Sequence, residues 1–330
     1  MRDHKDPSIE TLRGLACLFM VASHVIGQDP TTGLKVGDAS YFRYFYETFK
    51  YYRMPLFTVI SGFVYSLRPV VSGRVLDFLK GKSRRILLPF FFVSSLQFLM
   101  RIVLPGLNKT VRLQDMWTIY IYPFDQFWFL EALFLVFLAV VLLETSGLLK
   151  TPSRWFACFV LSVSLTYFIP WTPYTFGLRD SLYLFPFFIL GCGLNRFENF
   201  LFRPHILRPA LVFLLAGIAL QQLCWFNLVP LIVEKRGPFG ICLGLVGIAL
   251  LFYVRPTVRW LARLGPYAYS IYLFHVLFAA GSRLVLKVPK NHNVLGVLIV
   301  TSVIGLLGPV LIEKILEKKA ILRTIFLGMR

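Results

Sequence analysis

Long apolar runs alternate with short polar segments along almost the whole chain. There are about ten such runs, each near the ~20 residues that an α-helix needs to cross the hydrocarbon core of a bilayer. This pattern predicts an all-α fold, a polytopic integral membrane bundle of about ten transmembrane helices, forming a single domain over residues 1–330. The predicted spans are 8–27, 50–68, 85–104, 126–143, 155–170, 182–195, 209–226, 238–254, 266–286 and 294–312.

The composition favours a membrane protein over a soluble one. Hydrophobic residues make up 57% of the chain and charged residues only 15%, against roughly a quarter in soluble domains. The net charge of +19 comes from Lys and Arg scattered through short loops, so we expect no nucleic-acid partner. The cysteines lie in apolar runs without a CxxC pair or a histidine at ligand spacing, so we expect neither a metal site nor a disulfide. They are Cys17, Cys158, Cys192, Cys224 and Cys242.

The first apolar run is predicted to be a retained transmembrane helix. It resembles a secretory signal, but Arg13 lies inside it and leaves only a short apolar stretch before His24. Asp6 is a suitable N-cap, Pro7 suits the first helical position, and Gly27 is a suitable end. Most Lys and Arg fall in loops on the N-terminal side of the membrane, which predicts that both termini are cytoplasmic and that the protein is integral to the cytoplasmic (inner) membrane.

Arg13 and His24 are the first candidate site residues. Their spacing of about three helical turns places both on one face of the helix, about 16 Å apart along its axis. Ionisable side chains inside a span usually face the bundle interior or a wet cavity, and they are candidates for a functional site. The alternative is that Arg13 forms an ion pair with Glu10 and that His24 bonds a backbone carbonyl. Two such residues on one stripe, at two depths, favour a site that runs through the membrane.

The chemistry of His24 suits acyl transfer. An imidazole can take the proton from a sugar hydroxyl as that hydroxyl attacks a thioester, and it can return the proton to the leaving thiol. A covalent route would need a nucleophile with a base beside it, and no GxSxG or Cys/His signature is visible. Direct transfer is therefore favoured, with Ser23 and Cys17 as the alternative nucleophiles.

A basic cluster precedes the third apolar run, at the predicted cytoplasmic side of the membrane. The segment KGKSRRILLP at 80–89 contains Lys82, Arg84 and Arg85. Such a cluster can bind phosphate groups through charge-assisted hydrogen bonds. The alternative is ordinary anchoring by positive charge at this side of the membrane.

Three further segments place polar residues in apolar surroundings. Glu131 and His275 are intramembrane ionisable residues and therefore candidates in the same sense as His24. Trp128 and Tyr272 suit interface or packing positions as well as substrate contacts, and packing is the favoured interpretation. The segments are MPLFTVISGF at 54–63, FWFLEALF at 127–134 and GPYAYSIYLFH at 265–275. The possible supporting residues of the site are Glu10, Ser61, Glu131, Trp128, Tyr272 and His275.

In their order along the chain, these segments resemble the acyltransferase 3 family of membrane-bound acyltransferases. IETLRGLACLFMVASHV at 9–25 is similar to the first helix of that family, and it is followed by PLFTVISGF, KSRRILLP, WFL with a glutamate, and YSIYLFH. Members transfer acetyl or succinyl groups to surface polysaccharides, lipopolysaccharide, glucans or similar glycans. The resemblance implies an O-acyltransferase that moves an acetyl or succinyl group from cytoplasmic acyl-CoA to a hydroxyl of an extracytoplasmic glycan or glycolipid, with His24 as general base.

The resemblance also implies roles for individual residues and substrates. Arg13 and His24 are expected to be essential, with His24 closest to the chemistry. The RxxR element that the family uses to bind acyl-CoA falls on Lys82 and Arg85, with Arg84 beside them. Because a lysine cannot make the bidentate phosphate contact of an arginine, we expect Arg85 to contact acyl-CoA more securely than Lys82. We expect acyl-CoA, favouring acetyl-CoA, as co-substrate and no tightly bound cofactor. The expected partners are the lipid bilayer and a glycan or lipid-linked sugar.

Two other classes of function stay open from the sequence. A transporter or flippase would line its pathway with the same Arg13 and His24 and make no covalent bond. Neither an inverted repeat nor a matched pair of broken helices supports it. A scaffold for glycan synthesis would be indifferent to changes at either residue. Release of free CoA that depends on the acceptor distinguishes an enzyme from both.

Overall fold

The computed structural model describes residues 6–103, 111–231, 233–285 and 293–329. Over these ranges the chain is all-α as predicted, with fourteen α-helices, five short 3₁₀ helices and no β-strand. The helices are α1 (Pro7–Ile26), α2 (Tyr41–Thr48), α3 (Arg53–Leu67), α4 (Val75–Val103), α5 (Trp128–Thr145), α6 (Pro152–Leu165), α7 (Leu178–Arg196), α8 (Glu198–Leu201), α9 (Pro204–Trp225), α10 (Pro238–Val254), α11 (Arg259–Leu264), α12 (Ala268–Val285), α13 (Val294–Leu316) and α14 (Ala320–Leu327).

The structure supports seven of the ten predicted membrane spans. Within the described ranges, seven helical segments are long and apolar enough to cross a membrane. The predicted spans 50–68, 182–195 and 238–254 form the helices α3, α7 and α10, which do not meet both conditions. With 15 and 17 residues, α3 and α10 are shorter than the ~20 residues that cross a bilayer, while α7 carries charged residues at its ends. The final residues of predicted spans 85–104 and 266–286 lie outside the described ranges.

Helix α1 begins and ends as its sequence predicts. The Asp6 carboxylate accepts a hydrogen bond from the backbone N–H of Ser8 at 2.8 Å, and Pro7 occupies the first turn. Gly27 follows the last helical residue with φ +89°, a conformation that favours glycine. Most of α1 is buried among α3, α11, α12 and α13. The helix that carries the first two candidate residues therefore lies inside the bundle.

Glycine allows α3 and α7 to pack in backbone contact. A Cβ atom on Gly62 would lie 2.1 Å from the carbonyl oxygen of Phe188, and one on Gly191 would lie 2.1 Å from that of Val59. Small residues permit this approach between helices in membranes. Because α3 and α7 bury much of their surface against protein, they need less apolar character than helices that face lipid. This explains why apolar length alone does not identify them as spans.

Candidate functional site

Polar side chains gather at the end of the bundle where α1 terminates. His24 lies in the last turn of α1, Arg53 begins α3, and Trp128 begins α5. Asp180 lies in the first turn of α7, and Lys235 lies in the segment before α10. Residues far apart in the chain thus meet at one end of the bundle, which we call the His24 end.

His24 and His275 are in direct contact. Nε2 of His275 lies 3.2 Å from Nδ1 of His24, and the ring centres are 4.8 Å apart at an interplanar angle of 60°. His275 is fully buried in α12, whereas His24 is exposed. The sequence singled out both histidines, and the structure brings them together.

Hydrogen bonds fix the tautomers of both rings. Nδ1 of His275 lies 2.9 Å from the carbonyl oxygens of Ile271 and Tyr272; only an N–H can donate to them, so Nε2 of this neutral ring is an acceptor. Nδ1 of His24 lies 2.9 Å from the carbonyl oxygen of Met20 as well as near His275. Both neighbours are acceptors, which assigns the proton to Nδ1 of His24. The lone pair of His24 is therefore on Nε2.

The side chain of His24 is exposed, and its Nε2 makes no hydrogen bond among the described residues. Its neighbours Ser23, Val25 and Ile26 are buried, while His24 itself is exposed. Ser23 donates its hydroxyl to the Met20 carbonyl at 2.7 Å, and Cys17 is fully buried. Both alternative nucleophiles are buried whereas His24 is exposed, so the geometry favours direct transfer over a covalent route.

A polar network joins α12 to the segment before α5. The Tyr272 hydroxyl donates to the Gln126 carbonyl, and the Gln126 amide donates to Gln97 of α4 at 3.0 Å. Arg101 of α4 pairs with Asp125, whose charge acts on His24. Tyr272 is therefore a structural link beneath the histidine pair, as well as a buried neighbour of it.

The remaining supporting candidates take different positions. Glu131 is 7% exposed, and its Oε2 atom is buried with no hydrogen-bond partner among the described residues. Trp128 lies under the guanidinium of Arg236, 5.8 Å from the ring centre. Ser61 donates to the Phe57 carbonyl of its own helix at 2.8 Å. Glu131 therefore has a buried carboxylate oxygen available for a further hydrogen bond.

Arg13 lies at the opposite end of α1 from His24. Its Nη1 atom is 2.7 Å from Oε1 of Glu10, so the ion pair weighed from the sequence is present. The rise of a helix separates Arg13 from His24 by about 16 Å, and the structure does not bring the two side chains together. One quarter of the Arg13 side chain is exposed, which leaves it accessible for a further contact.

The basic cluster of α4 borders a cleft of about 480 Å³. Nη1 of Arg85 donates to the Leu327 carbonyl at 2.9 Å, and Nε of Arg84 donates to that of Gly328 at 3.3 Å. Lys82 lies with its Nζ atom 3.8 Å from the centre of the Phe137 ring. The two arginines thus hold the carbonyl end of α14, where a helix favours cations, and all three side chains line the cleft.

Sequence reasoning missed two cations at the His24 end, Arg53 and Lys235. Both act electrostatically on His24. Arg53 is the first residue of α3, where a helix dipole disfavours positive charge. An arginine directly before the MPLFTVISGF segment was the available signal. Lys235 has no comparable signal in the sequence, because only the tertiary fold brings its loop to α1.

A family model described as an acyltransferase domain, that of acyltransferase 3, matches residues 6–314 of the chain. The matched region contains every predicted site residue. Neither the comparison with curated proteins nor that with solved structures gives a match.

Proposed function

Because this chain belongs to the acyltransferase 3 family, we propose that it transfers an acetyl or succinyl group from cytoplasmic acyl-CoA to a hydroxyl of an extracytoplasmic glycan or glycolipid. The chain is a membrane acyltransferase, by its family and by its long apolar helices. One observation supports the proposed chemistry most strongly: His24 is exposed and its unprotonated Nε2 has no protein partner among the described residues, while its Nδ1–H is held by Met20 and His275. The interpretation as a transporter without covalent chemistry loses its support, since the family is one of acyltransferases.

In the proposed reaction, His24 acts as general base on the acceptor. Nε2 takes the hydroxyl proton as the hydroxyl oxygen attacks the carbonyl carbon of the thioester, and the C–S bond then breaks. The imidazolium returns its proton to the CoA thiolate, so the products are an ester and free CoA. The Met20 carbonyl and Nε2 of His275 accept from Nδ1–H and stabilise the positive charge that forms on the ring.

The donor is proposed to enter from the end where α1 begins. Lys82, Arg84 and Arg85 border the cleft, and cations of this kind bind the phosphates of CoA. Arg13 lies between this end and His24 on the same helix. Since about 16 Å separates it from His24, we propose that Arg13 contacts the donor along its length and not the carbonyl under attack.

We also propose that α3, α7 and α10 complete ten crossings and that both termini are cytoplasmic, in the inner membrane. Support comes from the packing of α3 against α7 through Gly62 and Gly191, which provides a protein environment for helices of modest hydropathy. In a cysteine-free background, Lys150→Cys is expected to react with a membrane-impermeant maleimide only after permeabilisation. Asn227→Cys is expected to react in intact cells, and the reverse pattern would refute the topology.

The assay for function measures free thiol released from acyl-CoA by the purified protein, with and without an oligosaccharide acceptor. His24→Gln is expected to lower kcat at least 100-fold, within the range that general base catalysis contributes. His205→Gln is the matched control, because His205 is exposed on α9 away from the site. Both variants should keep the wild-type thermal midpoint.

Two results would overturn the proposal. A His24→Gln variant with turnover near that of the wild type would remove His24 from the chemistry. A wild-type protein that releases CoA at the same rate without acceptor, and forms no acylated sugar by mass spectrometry, would contradict transfer to a glycan.

A further inference from the structure

The His24 end holds a buried arginine without a carboxylate partner. Arg53 is 9% exposed, and its guanidinium carbon lies 4.0 Å from the centre of the Tyr46 ring. Among the described residues it has neither a hydrogen bond nor an ion pair. Since none of its nitrogens is both buried and unbonded, each keeps some contact with open space. Arg43 shares the same ring at 5.3 Å, but it also donates to the Gly27 carbonyl and pairs with Asp38. Burying most of an arginine side chain without an anion is costly, and Arg53 therefore calls for an explanation.

Lys235 is the second unpaired cation of this end. The residue is exposed, but the protein around it, with the charges of Arg53 and Arg236, lowers its pKa to about 8. Asp180 and Lys50 are the other charged groups that act on it. Arg236 is neutralised by Asp180, and Lys50 by Glu47 at 2.7 Å. Of the cations in this group, Arg53 and Lys235 have no ion pair within the part of the chain that the structure describes.

Both unpaired cations act on His24. The packing brings the two cations to the same place, because the Tyr51 hydroxyl, two residues before Arg53, donates to the Val233 carbonyl, two residues before Lys235, at 3.1 Å. Arg43, which shares the Tyr46 ring with Arg53, donates to the Gly27 carbonyl at the end of α1. An anion held between Arg53 and Lys235 would therefore lie near His24. Two nearby positive charges oppose the charge that His24 gains when it takes a proton, and a bound anion offsets them. Occupation of such a site would thus assist the chemistry as well as position the substrate.

We propose that Arg53 and Lys235 bind an oxyanion, a carboxylate or a phosphate, carried by one of the two reacting partners. A guanidinium fork and an ammonium suit these groups, through bidentate and charge-assisted hydrogen bonds. Two sources share this chemistry: an anionic sugar or phosphate of the acceptor, and the free carboxylate of a succinyl donor. The inference rests on the proposed function for its substrates but not for the existence of the site.

Binding is tested first, on the purified full-length chain in detergent. Isothermal titration with glucuronate, inorganic phosphate and succinate is compared with titration with glucose. We expect at least one anion to bind at least tenfold more tightly than glucose, and Arg53→Gln and Lys235→Gln each to abolish that preference. Arg203→Gln is the matched control, since Arg203 is exposed and also lies over an aromatic ring, that of Phe200 at 5.5 Å.

Lys235→Gln guards against misfolding as an explanation, because an exposed side chain can be replaced without disturbing the core around Arg53. His24→Gln should bind the anions as the wild type does, since it lies beside the site and not in it. Equal binding of glucose and the anions, or anion binding by Arg53→Gln and Lys235→Gln that equals the wild type, would overturn the proposal.

Transfer assays then distinguish the sources. Acetyl-CoA and succinyl-CoA are each combined with a neutral glucose oligosaccharide and with one that contains glucuronate. If the acceptor carries the anion, the two variants lose at least tenfold in acetyl transfer to the glucuronate acceptor but not to the neutral one. If the donor carries it, they lose succinyl transfer to the neutral acceptor and keep acetyl transfer. Equal losses in all four combinations would contradict the site.

Failure of this inference can be told from failure of the proposed function. A wild type that transfers acyl groups, with variants that behave identically in every combination, refutes the anion site alone. A wild type that binds the anions but forms no acylated sugar from either donor refutes the proposed function and leaves the site standing.

Discussion

The contact between His275 and His24 allows the sharpest test of the proposed chemistry. His275→Leu removes the acceptor that lies 3.2 Å from Nδ1 of His24 and leaves a side chain of similar size in a fully buried position. His24 keeps its bond to the Met20 carbonyl at 2.9 Å. The change therefore removes one of two interactions that stabilise the imidazolium, and it does not touch the substrate.

The size of the effect follows from the charge that forms on His24. A hydrogen bond to a charged group contributes about 1.5–3 kcal/mol, and a tenfold change in rate corresponds to about 1.4 kcal/mol. Because the Met20 carbonyl still accepts from Nδ1–H, we expect the lower part of this range and a fall in kcat of roughly 10- to 30-fold. KM for acyl-CoA should stay unchanged, since the basic cleft lies at the other end of α1.

His275→Gln separates positioning from packing. The amide oxygen of glutamine can accept from Nδ1–H of His24 in place of the lost nitrogen, so we expect this variant to recover most of the rate. The assay is steady-state acyl transfer by purified protein, with the thermal midpoint measured alongside. A His275→Leu variant with kcat within threefold of the wild type would refute the reasoning. A slow His275→Gln variant with a lowered midpoint would assign His275 to packing.

Three further predictions concern other parts of the bundle. Lys235 is protonated below its pKa of about 8 and neutral above it, so KM for an oxyanion-bearing substrate should rise as the pH passes 8. Lys235→Arg should remove that rise, because arginine stays charged, and a KM of the wild type that does not change with pH would contradict the prediction. Gly191→Ala should lower the free energy of unfolding by about 1–3 kcal/mol through overpacking, which a lower thermal midpoint would show. Gly281→Ala should leave the midpoint unchanged, because a Cβ atom at this position meets open space. Arg85→Gln should raise KM for acyl-CoA about tenfold with little change in kcat, while the exposed Lys80→Gln should leave both unchanged; equal effects would point to general surface charge.

The sequence predicted the parts of the fold that depend on local chemistry. The start of α1 follows from the carboxylate of Asp6 and the ring of Pro7, and its end follows from Gly27. The helical character of all ten apolar runs is likewise confirmed, because a long apolar run can satisfy its backbone only as a helix in a membrane. These features require no knowledge of what each helix packs against.

The number of crossings could not be predicted in the same way. Helix α3 has 15 residues, and its partner α7 carries charged residues in its first and last turns. Their contact through Gly62 and Gly191 replaces lipid by protein, so hydropathy and length no longer measure whether a helix belongs to the bundle. A glycine in an apolar run reveals that close packing is possible, but not with which helix.

The histidine pair marks a similar limit within the candidate site. Intramembrane position identified His24 and His275 separately, since each is an expensive residue at its place. Their contact joins positions 251 apart in the chain, and no periodicity encodes such a distance. The tautomers of both rings depend on that contact, which leaves Nε2 of His24 unprotonated.

The two basic regions of the chain differ in what explains them. Positive charge at the start of α4 agrees with ordinary anchoring on the side where the N-terminus lies, so Arg84 and Arg85 need no ligand to account for their presence, and they already bond the end of α14. Arg53 and Lys235 lie at the opposite end, where that rule favours few cations. Arg53 is buried there without an anion and at the unfavourable end of a helix. Topology and packing leave this second region unexplained, and a bound oxyanion beside His24 would supply the missing charge.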